Sequence, residues 1–215
     1  MMRRLIFISL MSLLLAVPTL ADMKIKLYDS PGNGTTRGGE FIATLTSDSD
    51  PIGNYLATDS FGTFCVETDE FINYGTTYYV TLSDYAFEGG SNIPPGTMDP
   101  LDVKTAWIYT QWMNGTITHN DYWANIVQES IWYIEQESLG RRHQLVDDAT
   151  TATANGAWTN LNVKVMNLWT TKNADGSYSG YAQDQLVMVP LPATFLLGLL
   201  GLGMGGWKLR KRKSV

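Results

Sequence analysis

The chain has 215 residues, with 15 Lys and Arg against 21 Asp and Glu and a single cysteine. Every acid lies between Asp22 and Val189, a stretch with eight basic residues and so a net charge of −13. That balance excludes nucleic acid and anionic membrane surfaces as partners by repulsion, and one cysteine excludes an internal disulfide.

Read in chain order, Met1 to Ala21 has a basic start (Arg3, Arg4), an apolar run from Leu5 to Val17 and small residues before Asp22. This is the pattern of a secretory signal peptide, and the run is too short for a comfortable membrane span. The body, 22–189, is long enough for one domain. Its first part reads as strands and turns. Lys24 to Tyr28 and Glu40 to Leu45 alternate on either side of a Gly-, Pro- and Asn-rich segment. Thr63 to Phe71 and Thr76 to Leu82 are the clearest predicted strands, separated by a hairpin-like Asn73-Tyr74-Gly75 turn, and Glu88 to Thr97 reads as a loop.

The pattern then becomes helical. Asp99-Pro100 predicts an N-cap followed by proline at the first helical position, with a helix to Asn114 stopped by Gly115. Asn120 or Asp121 starts a second helix to about Leu139, with Gly140 past its end. Together they predict an αα-hairpin insert over about 99–140. Thr150 to Trp158 reads as a loop, Leu161 to Trp169 as a strand, Lys172 to Tyr181 as a turn region and Gln185 to Val189 as a last strand. The expected class is α+β, a β-barrel or β-sandwich carrying a helical insert.

Past the body stand Val189, Pro190, Leu191 and Pro192, an apolar segment 193–207, and five cations in the six residues from Lys208 to Lys213. Cations beside an apolar segment favour the cytoplasmic side, which predicts a transmembrane tail with the body facing outward. The order of motif, apolar helix and basic end resembles the PEP-CTERM sorting signal read by exosortases in Gram-negative bacteria, with Leu191 where a Glu is usual. The resemblance implies an exosortase as partner, transient anchoring in the inner membrane through 193–207, and a final place on the cell surface or in the extracellular matrix.

Two segments of the body carry the remaining chemistry. Ala124, Val127, Gln128, Ile131 and Trp132 fall on one helical face, which puts a glutamine in an apolar stripe. A buried glutamine needs partners, because each unmet polar group costs about 1–3 kcal/mol. Taken singly, Gln128 is explained by a partner carbonyl or a place at the edge of the stripe. Cys65, on the strand face opposite Phe64 and Val66, is explained as a small buried hydrophobe.

Together, Phe64-Cys65-Val66-Glu67 and Val127-Gln128-Glu129-Ser130-Ile131-Trp132 resemble the thioester domains of bacterial surface adhesins. That resemblance implies an internal Cys65–Gln128 thioester, with Phe64, Trp107, Ile131 and Trp132 as candidate pocket walls. It also implies covalent attachment to an amine- or hydroxyl-bearing surface molecule, a protein or a polysaccharide. The protein would be a single-use electrophile, not an enzyme, and it would need no cofactor. The alternative is a non-covalent structural or glycan-binding matrix component with Cys65 as a buried thiol. Gln111 lacks the aliphatic-Trp sequel and is the weaker glutamine for the bond. His119 and His143 make no metal-ligand spacing with the cysteine, and Glu67, Asp69 and Glu70 read more simply as a solvated strand edge than as a cation cluster.

Overall fold

The computed structural model describes residues 22–31, 34, 38–46, 60–87 and 97–189. The signal peptide, most of the Glu88 to Thr97 loop and the tail from Pro190 onward lie outside the described residues. No helix among the described residues is long and apolar enough to cross a membrane.

The elements are β1 (Lys24–Asp29), β2 (Phe41–Leu45), β3 (Ser60–Thr63), β4 (Thr77–Ser83), β5 (Tyr85–Ala86) and β6 (Asp99–Pro100). They continue with α1 (Val103–Met113), α2 (Asp121–Ile134), α3 (Gln144–Thr153), a 3-10 turn at Ala154–Gly156, β7 (Val163–Lys172) and β8 (Tyr178–Met188). Six strands form an antiparallel sheet in the order β3-β2-β1-β4-β7-β8. Its two edges then meet. The chain leaving β3 pairs with β8, with Leu186 N donating to Phe64 O at 3.0 Å and Val66 N donating to Asp184 O at 3.0 Å. Cys65 lies opposite Gln185 between those two bonds. The sheet-rich α+β class expected from the sequence is the class observed, and the meeting of the edges gives it the closed form of a barrel, which leaves no bare strand edge there.

Alternation along the strands builds two cores. Ile25, Leu27, Ala43, Tyr78, Val80, Met166, Leu168 and Val187 form one on the sheet's inner side. Phe64, Val66, Val163, Val165 and Leu186 point the other way and meet Ala106, Ile108, Tyr109 and Trp112 of α1, Val127 and Ile131 of α2, and Leu145 and Ala149 of α3. Each large apolar side chain so buried contributes about 1.5–3 kcal/mol. Phe64 is the hub, edge-on to Trp112 at 5.3 Å and to Tyr109 at 6.4 Å between ring centroids.

Several sequence expectations need correction. The strand predicted over Thr63 to Phe71 begins earlier and ends at Thr63, with only Cys65 bridged beyond it. The chain does turn at Tyr74-Gly75, where Gly75 takes φ +74°. That turn is not a hairpin, because β4 pairs with β1 and β7 and not with β3. Asp99-Pro100 is not a helix start but a short strand paired with Tyr85-Ala86. The helix is capped instead by Asp102, whose Oδ1 accepts from Lys104 N at 2.8 Å. α2 is capped by Asn120 as expected but stops at Ile134, five residues before Leu139, and Gln136 takes φ +64°. The insert is three helices, not a hairpin of two. α3 was missed because its Thr- and Asp-rich sequence shows few apolar positions, yet Leu145, Val146 and Ala149 fall on one face and are buried. β8 also begins well before Gln185.

Helices α1 and α2 are tied at their ends by Glu135, whose Oε1 accepts from Asp102 N at 3.3 Å. Burial pushes its carboxyl from 4.5 up to about 8. A carboxyl whose pKa is raised on folding favours the folded state fully below its unfolded pKa, and that contribution is lost as pH climbs through the folded value. Stability should therefore fall between about pH 4.5 and about pH 8. Chemical denaturation across that window should show the Glu135→Gln variant with a flatter pH dependence than the parent chain.

Candidate functional site

The site grows from the point where the barrel closes. In the antiparallel pair of Cys65 and Gln185, the ladder bonds are made by the flanking residues, so the N–H and C=O of Cys65 face away from β8. Left unmet in a buried position, both groups would be costly. Gln128 meets both. Its Oε1 accepts from Cys65 N at 3.0 Å and its Nε2 donates to Cys65 O at 2.8 Å. One carboxamide thus stands in for a residue of a neighbouring strand. Gln128 is 1% exposed, on the predicted face of α2, where Ala124, Val127, Ile131 and Trp132 are buried with it. Cys65 and Gln128, 63 positions apart in the chain, are in direct contact.

The Cys65 side chain has other partners. Its thiol donates to Gln183 Oε1 at 2.9 Å and accepts from Gln185 Nε2 at 3.3 Å. Both glutamines come from an irregularity in β8. Met166 pairs with Gln185 while Leu168 pairs with Ala182, so Gln183 and Asp184 oppose Asn167 alone. Such a bulge re-aims side chains, and this one brings Gln183 and Gln185 to the sulfur. Asp184 is held by Phe87 N at 2.7 Å, Asn167 Nδ2 at 2.7 Å and Leu168 N at 3.2 Å. Gln183 is anchored by its Nε2 on Glu67 O at 2.8 Å.

Burial dominates the electrostatics. It pushes the Cys65 thiol up to about 12, so the sulfur carries its proton at neutral pH. Burial likewise raises the carboxyls of Glu67 and Asp184, and their nearness to one another adds to the effect on Glu67.

The expected pocket residues separate into two groups. Phe64 and Ile131 belong to the core beside the closure. Trp132 covers the site from the helix side together with Gly38, since a Cβ on Gly38 would come within 2.6 Å of the Trp132 ring and 2.7 Å of Gln128 Cγ. Gly38 also takes φ +144°, a conformation that favours glycine. Trp107, with Gln111, instead lines a separate pocket among the helices. No group of three or more His, Cys, Asp or Glu among the described residues could hold a metal, so Glu67, Asp69 and Glu70 do not gather as one. Sequence reasoning missed Gln183, Asp184 and Gln185. The signal was present as three consecutive polar residues between Ala182 and Leu186-Val187, a break in the alternation of an otherwise apolar strand.

Residues 189–213 match the PEP-CTERM protein-sorting motif. The match spans Leu191, so that substitution does not take the segment outside the motif. The chain is thus an exported protein recognised by an exosortase-type enzyme and sorted through the membrane to the surface of a Gram-negative bacterium. No curated protein and no solved structure matches the chain.

Two outcomes follow. Gln128→Ala strips partners from both main-chain groups of Cys65, at about 1–3 kcal/mol each, and should lower the denaturation midpoint without changing m. In the host, deleting 193–215 should release the body to the periplasm or medium, while the full chain appears first at the membrane and is then trimmed. A full-length form persisting at the membrane by immunoblot would mark a plain anchor.

Proposed function

We propose that the sorted body attaches covalently to a partner surface through an internal thioester between Cys65 and Gln128. The observation that carries this reading is the Gln128 carboxamide, buried and fixed on Cys65 by two hydrogen bonds. In the reaction, the Cys65 sulfur bonds to the Gln128 carboxamide carbon, the carbon–nitrogen bond breaks, and the thiol proton leaves with the nitrogen as ammonia. Several features support it. The Cys65 N–H on Oε1 polarises the carbonyl and is aimed at the oxygen where negative charge would develop. The Gln128 carboxamide is held on the main chain of the residue that carries the thiol, in a buried site. The thiol must turn from Gln183 and Gln185 to reach it, and burial would then protect the product from water. Burial, which raises the thiol to about 12, works against the thiolate, so the reaction needs the thiol proton to pass to the departing nitrogen as the sulfur attacks. An amine or hydroxyl of the partner would later take the acyl group and return the thiol.

A second reading rests on the sulfur's own partners. Held by Gln183 and Gln185 and kept protonated, Cys65 serves as a buried structural thiol in a matrix component that binds without a covalent bond.

Intact-mass measurement of the processed protein separates the two. The thioester reading expects a mass one ammonia below the sequence value, no titratable thiol after denaturation, and addition of methylamine on treatment. Cys65→Ala and Gln128→Ala should each show the full mass expected of the variant, while Gln183→Ala should keep the deficit. A full-mass parent chain with one titratable thiol after denaturation establishes the second reading. A deficit abolished by Gln183→Ala but kept in Gln128→Ala would assign the bond to Gln183.

A further inference from the structure

The pocket among the helices lies away from the cysteine. At about 3.6 residues per turn, Tyr122 and Trp123 fall on the flank of α2 opposite Gln128, and both line a cavity of about 420 Å³ shared with α1 and α3. That volume is within the range of about 300–1,000 Å³ usual for small-molecule sites. Trp107 and Gln111, one turn apart on α1, line it together. The rings of Tyr122 and Trp123 meet edge to face, 5.5 Å apart at 79°, and form a corner. Tyr122 is 67% exposed, a large aromatic surface left to water. On the α3 side the lining is mostly polar, His143, Gln144 and Asp148 beside Leu145, with Gln144 Nε2 donating to Asp148 Oδ1 at 3.2 Å.

We propose that this pocket is a saccharide subsite that takes the pyranose ring of an uncharged glycan. A sugar ring has an apolar C–H face and a rim of hydroxyls, and the pocket offers both complements. Aromatic faces carry negative potential that attracts C–H groups, and the Gln111 and Gln144 amides and the Asp148 carboxylate can bond hydroxyls. The polar wall makes the site a poor fit for a lipid chain, which would leave those groups without partners. Asp148 and the body's net charge of −13 repel an anionic sugar. The inference is independent of the thioester, because none of these residues touches Cys65 or Gln128 through any hydrogen bond described above.

Tryptophan fluorescence of the full chain in mild detergent tests it, with cellotetraose, maltotetraose and tetra-N-acetylchitotetraose as uncharged probes and trigalacturonate as the anionic one. At least one uncharged probe should give a saturable change and trigalacturonate none. Tyr122→Ala and Asp148→Ala, both at exposed positions, should each weaken the dissociation constant about tenfold or more. Trp123→Phe should bind better than Trp123→Ala, and Cys65→Ala should bind like the parent chain. No saturable change with all three uncharged probes, an equal response to trigalacturonate, or unchanged affinity in Tyr122→Ala overturns the proposal. Loss of binding in Cys65→Ala would tie the site to the cysteine and overturn its independence.

Discussion

The structure depends on how the sheet closes at Cys65. Where β8 meets the chain leaving β3, the ladder satisfies Phe64 and Val66 and leaves the main chain of Cys65 pointing outward. A side chain has to finish the ladder, because an unpaired N–H and C=O in this interior would each cost about as much as the net worth of one or two hydrogen bonds. Gln128 does so, and that requirement fixes the position of α2 on the barrel. With α2 placed, α1 packs its Trp112 on Phe64, and α1 and α3 together bury the outer face of β7 and β8.

The same arrangement gives the site its chemical character. A carboxamide offers a donor and an acceptor side by side at any pH, and it is also an acyl donor. The group that completes the barrel is therefore also the group that would be consumed in a crosslink. In the proposed reaction Oε1 would stay on Cys65 N–H while Nε2 departs, so one of the two hydrogen bonds would survive the step that ends the other. The bulge in β8 contributes from the opposite side, bringing Gln183 and Gln185 to the sulfur and burying Asp184 beneath a set of three donors.

The two faces of α2 divide the labour of the domain. Its inner face closes the cysteine site, and its outer flank helps to wall the aromatic cavity. A protein sorted to the cell surface meets its partners outside the membrane, and a strongly acidic body keeps such a protein off anionic lipid and nucleic acid. Recognition through an uncharged ring and attachment through an electrophile would then be separate functions on one helix, each open to loss without the other.

By itself, the sequence determined what is local or compositional. The sorting tail is legible from the order of motif, apolar run and cations, β1, β2, β4 and β7 from alternation, the Asn120 cap from its residue type, and the buried face of α2 from its 3.6 period. The pairing of Cys65 with Gln128 was legible only because two short motifs stand together in one chain. Tertiary structure decided the rest. Whether Thr63 to Phe71 stays a strand depends on pairing with β8, which stops at Val66 opposite the Gln183-Asp184 bulge, and Asp99-Pro100 is a strand because Tyr85-Ala86 lies beside it. α3 exists because three apolar residues meet a core contributed by other helices and strands, a face too sparse to announce a helix by itself. Gln183 and Gln185 reach the sulfur through a one-residue register shift between β7 and β8. A register is a relation between two strands, and neither strand's sequence contains it alone.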